Sequence, residues 1–165
     1  MSSSIRLIPT SPEYVPDTLS QEQAASYLRG LLLPNPDPSS EITARVTEYV
    51  EYVDQGGNFE RVVCPFCRSD LASESSEWWD EMMDKAYEGR FADLRIVTPC
   101  CHTQSSLNDL KYEWPVGFAR FVLEAYEPFS IDSEGVYQML ELSPADLEYL
   151  QETLGCGLRI IWAHY

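Results

Sequence analysis

Two cysteine pairs constrain this chain more than any other feature. Cys64-Pro65-Phe66-Cys67 is followed, after thirty-two intervening residues, by Cys100-Cys101-His102. Two residues between ligands let both sulfurs of the first pair face one centre, and soft thiolates in a tetrahedral array favour zinc. Proline after the first cysteine suits a tight knuckle turn. The second pair departs from that pattern, because its cysteines are adjacent. Neighbours on a regular strand point to opposite faces, so both can ligate only where the chain turns, and Pro99 makes a turn there plausible. The preferred ligand set is Cys64, Cys67, Cys100 and Cys101. Three cysteines with His102 as the fourth ligand is the alternative. Two other readings compete with metal binding. The cysteines could pack as small reduced hydrophobes. Cys64 and Cys67 could also form a redox pair, which needs an accessible low-pKa thiol at a helix start, whereas the surrounding acids raise thiol pKa values.

The pattern CPFC…CCH resembles zinc ribbons and related treble-knuckle zinc modules, in which hairpin turns present thiolates to one ion. The resemblance implies a structural Zn2+. Four cysteines fill the coordination sphere and leave no position for water. The ion would staple an excursion too short to bury a core alone. Zinc ribbons also suggest nucleic-acid contact, an analogy that the charge of this chain opposes.

That charge is −16, from 27 acidic and 11 basic residues among 165. Such a surface repels phosphate backbones and anionic lipid, so neither nucleic acid nor a membrane surface is an expected partner. No apolar run is long enough to span a bilayer. The start, Met1-Ser2-Ser3-Ser4-Ile5-Arg6, lacks the basic and apolar regions of a secretory signal. An odd cysteine count (the fifth is Cys156) argues against a disulfide framework. A cytoplasmic location is the expectation.

Along the chain, Ile5 to Ile8 reads as a strand and Thr10 to Leu19 as a loop. Ser20-Gln21-Glu22-Gln23 has the form of a capping box, opening a helix through Ala24, Tyr27, Leu28, Leu31 and Leu32 that ends before Pro34. Glu41 to Asp54 fits either period, and its β-branched residues favour a strand. Gln55-Gly56-Gly57-Asn58 suggests a hairpin turn, with Phe59 to Val63 as the returning strand. Trp78, Trp79, Met82, Met83, Ala86 and Tyr87 recur at helical spacing, after Ser75 or Ser76 as a cap. Leu94 to Thr98 is a strand entering the second cysteine pair. Phe118 to Ala125 alternates as a strand, and Val136 to Leu142 suggests a short helix. Ser143-Pro144-Ala145-Asp146 starts a helix that Gly155 ends, and Leu158 to Tyr165 reads as a buried strand. No internal repeat stands out.

Setting the middle aside, the order is strand, helix, strand or hairpin, strand, helix, strand. It resembles the split β-α-β order of ferredoxin-like folds, an antiparallel sheet covered on one face by two helices. The expected class is therefore α+β, with residues 1–63 and 102–165 as the core domain and 64–101 as an inserted zinc-binding module with an acidic helix.

No P-loop, nucleophile elbow, dinucleotide turn or HExxH helix is visible, so no catalytic residue is assigned. The leading functional reading is an acidic, zinc-stabilised interaction protein. Glu77, Asp80, Glu81, Asp84 and Glu88, on the outer face of the middle helix, would meet a basic protein partner. A bacterial immunity-type inhibitor of a cationic toxin is one concrete version. The alternatives are a metal- or thiol-dependent enzyme using Cys100, Cys101 and His102, and a zinc-ribbon nucleic-acid module. Trp78, Trp79, Met82 and Met83 fit either an interface or, more simply, core. Asp109, Tyr112, Glu113 and Trp114 could line a groove or pack as a loop. His164 is expected as a satisfied core histidine, and Cys156 as a small buried residue after the last helix.

Overall fold

Apolar residues on both faces of one segment set the centre of the sheet. In the computed structural model, which describes residues 1–72 and 77–165, the elements in chain order are β1 (Ser3–Pro9), α1 (Thr18–Leu31), β2 (Glu41–Val53), β3 (Val62–Val63), α2 (Trp78–Glu88), β4 (Arg95–Val97), β5 (Gln104–Ser106), β6 (Lys111–Tyr112), β7 (Gly117–Tyr126), β8 (Phe129–Ile131), β9 (Tyr137–Met139), α3 (Pro144–Leu154) and β10 (Leu158–His164). A four-stranded sheet runs β10-β1-β7-β2, with every neighbouring pair antiparallel. The molecule is therefore a mixed α+β fold. Strand β7 is buried along nearly its whole length, as a strand covered on both faces must be. Leu7 pairs with Leu123 on one side and Ile160 on the other, which puts the apolar side chains of three strands on one face.

Helices α1 and α3 cover that face. Leu28 and Leu150 pack there against Ile5, Leu7, Phe121 and Leu123. Ile8, Val53, Ala119, Val122 and Ile161 form a separate buried cluster. Helix α3 begins at a reciprocal cap, in which Ser143 accepts from the Asp146 amide and Asp146 from the Ser143 amide. It ends at Gly155, whose φ of 73° is open to glycine without steric cost.

Five expectations from sequence need correction. Helix α1 starts earlier than the capping box suggests: Asp17 is its cap, accepting from the Ser20 amide at 2.8 Å, and Ser20 lies inside the first turn. A cap at Ser75 or Ser76 lies outside the described residues. Gln55 to Asn58 is not a hairpin turn back along β2: β2 ends the sheet, pairing with β7 alone, and among the described residues no strand returns along its other edge. Gly56 instead crosses the end of β10, so close to the His164 carbonyl that a Cβ would collide with it. Of the supposed returning strand only Val62–Val63 is extended, and it pairs with β6. The expected helix over 136–142 is the second strand of the β8–β9 hairpin, turned by Asp132 and Gly135. His164 is exposed at the end of β10, its ring 3.0 Å from the Ser3 hydroxyl.

Between β2 and β7 the chain builds a second apolar cluster. Val62, Leu71, Ala86, Ile96, Leu107 and Tyr112 form it, and it reaches the sheet through Val50 and Phe118. Arg159 of β10 bonds the Asn108 side chain at 3.0 Å and the Val116 carbonyl at 2.8 Å, tying this segment to the sheet. Among the described residues no helix is long and apolar enough to cross a membrane.

Candidate metal centre

Two turns meet at one edge of the second cluster. In the first, which follows β3, the Cys64 amide donates to the Ser69 carbonyl at 2.9 Å and the Arg68 amide to the Cys64 carbonyl at 3.0 Å. Arg68 closes the turn with a φ of 63°. The second turn joins β4 to β5. There the Thr98 amide donates to the Thr103 carbonyl at 2.9 Å and the His102 amide to the Thr98 carbonyl at 3.0 Å, and His102 has a φ of 55°. The two turns are the same structure at a constant offset of thirty-four residues. Pro65 matches Pro99, Cys67 matches Cys101, and Ser69 matches Thr103. Thr98 stands where Cys64 stands in the first turn, and both are fully buried. Cys100 stands in the place of Phe66, the exposed tip of the knuckle.

The four thiols converge. Their sulfurs all lie within 4.8 Å of one another, a cluster able to hold a metal ion. Cys64 Sγ is 3.8 Å from Cys101 Sγ, Cys67 Sγ is 3.2 Å from Cys100 Sγ, and the adjacent Cys100 and Cys101 are 4.0 Å apart. With zinc–sulfur bonds of about 2.3 Å, the edge of a tetrahedron of sulfurs is about 3.8 Å, so the spacing suits such an ion. The turn at Pro99 is what lets adjacent cysteines face one point. Cys64 is buried, Cys101 half-buried, and Cys67 and Cys100 are exposed.

Hydroxyls surround two of the sulfurs. Thr98 Oγ1 and Thr103 Oγ1 each lie 3.3 Å from Cys101 Sγ, and Ser69 Oγ lies 3.3 Å from Cys67 Sγ. Bonds from Ser69 draw the Cys67 thiol down to about 6, and bonds from Thr103 and Thr98 lower that of Cys101. Loss of solvation and then hydrogen bonding to Cys67 push the Cys100 thiol up to about 12. Hydroxyl donors stabilise thiolate, the form that binds metal.

His102 is exposed and is not one of the four converging residues. Glu77, Asp80, Glu81, Asp84 and Glu88 are all exposed along α2. Trp78, Trp79, Met82 and Met83 on the opposite side are half-buried against the second cluster, the core alternative of the two. Trp79 Nε1 donates to the Tyr112 hydroxyl at 3.3 Å, and that hydroxyl donates to the Leu107 carbonyl at 2.7 Å. Tyr112 is thus buried structure, while Trp114 is exposed and bonds Glu60 at 3.3 Å. Cys156 is half-buried beside the helix-covered core, and burial pushes its thiol up.

Comparison with protein-family models, curated proteins and solved structures returned no match for this chain. The local repeat at the two knuckles is what reading the sequence missed. Its only signal is Pro-x-Cys occurring twice, too short to stand out without the matching backbone.

Proposed function

We propose that the four cysteines hold a structural Zn2+ and that the acidic outer side of α2 docks a cationic protein partner. The convergence of four sulfurs from two matching turns carries the metal half of this reading. Thiolate is the ligand chemistry that zinc takes in closed tetrahedral sites, and a fourth sulfur leaves no coordination position for substrate. Cys64, Cys67, Cys100 and Cys101 would hold the ion, and its role is to lock the two knuckles together. We read the surrounding frame as ferredoxin-like with an inserted module, which the order β10-β1-β7-β2 supports.

The partner half rests on charge. Five exposed carboxylates line one side of α2, on a chain whose net charge is −16. Fields of this kind steer oppositely charged proteins and reject nucleic acid. A bacterial immunity-type inhibitor of a basic toxin, acting in the cytoplasm, is the concrete version of this role.

Two measurements test the halves separately. Native mass spectrometry is expected to give one zinc per chain, and cobalt exchange an absorption spectrum of four thiolate ligands. A metal-free mass for fully folded protein defeats the metal half. Affinity capture from cell extract is expected to retain a basic protein at low salt, release it at high salt, and lose it when Asp80, Glu81 and Asp84 are changed to lysine. Capture indifferent to both salt and charge reversal defeats the partner half.

A further inference from the structure

The two knuckles are the same turn, yet their ligands sit at different places in it. The first offers its buried opening residue, Cys64, and its fourth residue, Cys67. The second has Thr98 at the buried opening position and takes its extra sulfur from Cys100 at the exposed tip, where the first carries Phe66, 55% exposed. The sulfurs are therefore unequal. Cys64 is enclosed, and Cys101 is flanked by two threonine hydroxyls. Cys100 is exposed, has no hydroxyl contact among the described residues, and lies 3.2 Å from the other exposed sulfur, Cys67.

We propose that this centre has an oxidisable edge, at which a hydroperoxide joins Cys100 and Cys67 as a disulfide across the knuckles and expels the metal. The proposal rests on the zinc reading above and adds a reaction to it. Deprotonated by coordination to zinc, Cys100 attacks one peroxide oxygen; an S–O bond forms, the O–O bond breaks, and hydroxide leaves to take a proton from solvent. The Cys67 thiolate then attacks the resulting sulfenic sulfur; the S–S bond forms, the S–O bond breaks, and a second hydroxide is protonated by solvent. Two sulfurs give up two electrons, one hydrogen peroxide becomes two waters, and zinc loses two of its four anionic ligands. Cys64 and Cys101 remain thiols, so a dithiol reductant and fresh zinc restore the site.

The test uses the zinc-loaded full chain with stoichiometric hydrogen peroxide. Released zinc is followed with a chromogenic chelator, and the cysteines are mapped by alkylation and peptide mass spectrometry. One zinc released per disulfide formed, with Cys67 linked to Cys100, is the expected result. Zinc retained through excess peroxide overturns the proposal, as does a disulfide that includes Cys64. The double variant Thr98→Cys with Cys100→Ser moves the exposed ligand into the buried position. It is expected to bind zinc and release it about tenfold more slowly under peroxide, since enclosed cysteines react poorly; release at the original rate overturns the proposal. Should that variant fail to fold, the disulfide map of the original chain decides alone. A chain that binds no zinc fails the metal reading and the proposal with it, whereas one that binds zinc and keeps it under peroxide fails only the proposal.

Discussion

The Asp146 carboxylate ties α1 to the start of α3 through two bonds. It accepts from the Tyr27 hydroxyl of α1 at 2.7 Å and from the Ser143 amide at 2.9 Å, while its own amide is capped by Ser143. The Tyr27 bond, and then the Ser143 amide, hold its carboxyl below the usual carboxylate range. A carboxyl lowered on folding stabilises above its unfolded pKa, and that contribution is lost as pH falls through the folded value. The stability difference between the parent chain and Asp146→Asn is therefore expected to be full at pH 6 and to shrink below about pH 4 in urea unfolding. Ser143→Ala is expected to cost about 1 kcal/mol in the same assay, from the lost cap. The site was legible at this scale, since ligand type and spacing name the cysteines without any fold. The role of Thr98 was not legible, because only the backbone reveals that it sits in a cysteine's place.

Helix α2 is held on by apolar packing and by one buried hydroxyl. Removing it in Tyr112→Phe leaves the Leu107 carbonyl and Trp79 Nε1 without a partner, at an expected cost of about 1–3 kcal/mol, read from chemical denaturation with zinc present. Removing zinc with a strong chelator is expected to raise amide hydrogen exchange around both knuckles, at Cys64 and Thr98, while β1 and β7 stay protected. Persistent protection at the knuckles would show that the ion does not hold them. Elements with one clear period were legible, as the strands β1, β7 and β10 and the capped helix α3 illustrate. Where the sequence misled, a distant partner decided the conformation. Gln55 to Asn58 carries hairpin residues, but Gly56 and Gly57 meet the His164 carbonyl at the end of β10, more than one hundred positions further along the chain. The segment over 136–142 has helical spacing, yet it pairs with β8, whose proximity no local pattern records.

Across the whole molecule, the acidic excess gives a net charge of −16. No retention on DNA–cellulose at physiological salt is the expected behaviour of a chain with this balance, and binding there would contradict the reading of its surface. Strand order has a kinetic consequence as well. Strands β2 and β7, hydrogen-bonded neighbours, can meet only after an excursion of roughly sixty residues closes into a loop. A metal bridging the knuckles short-circuits about half of that excursion. Each halving of a flexible loop lowers the entropy of closure by about 0.6 kcal/mol, so sheet assembly is expected to run about threefold faster when refolding starts with the ion already bound. On the zinc reading, the cysteines thereby act on the speed at which the four-stranded sheet comes together.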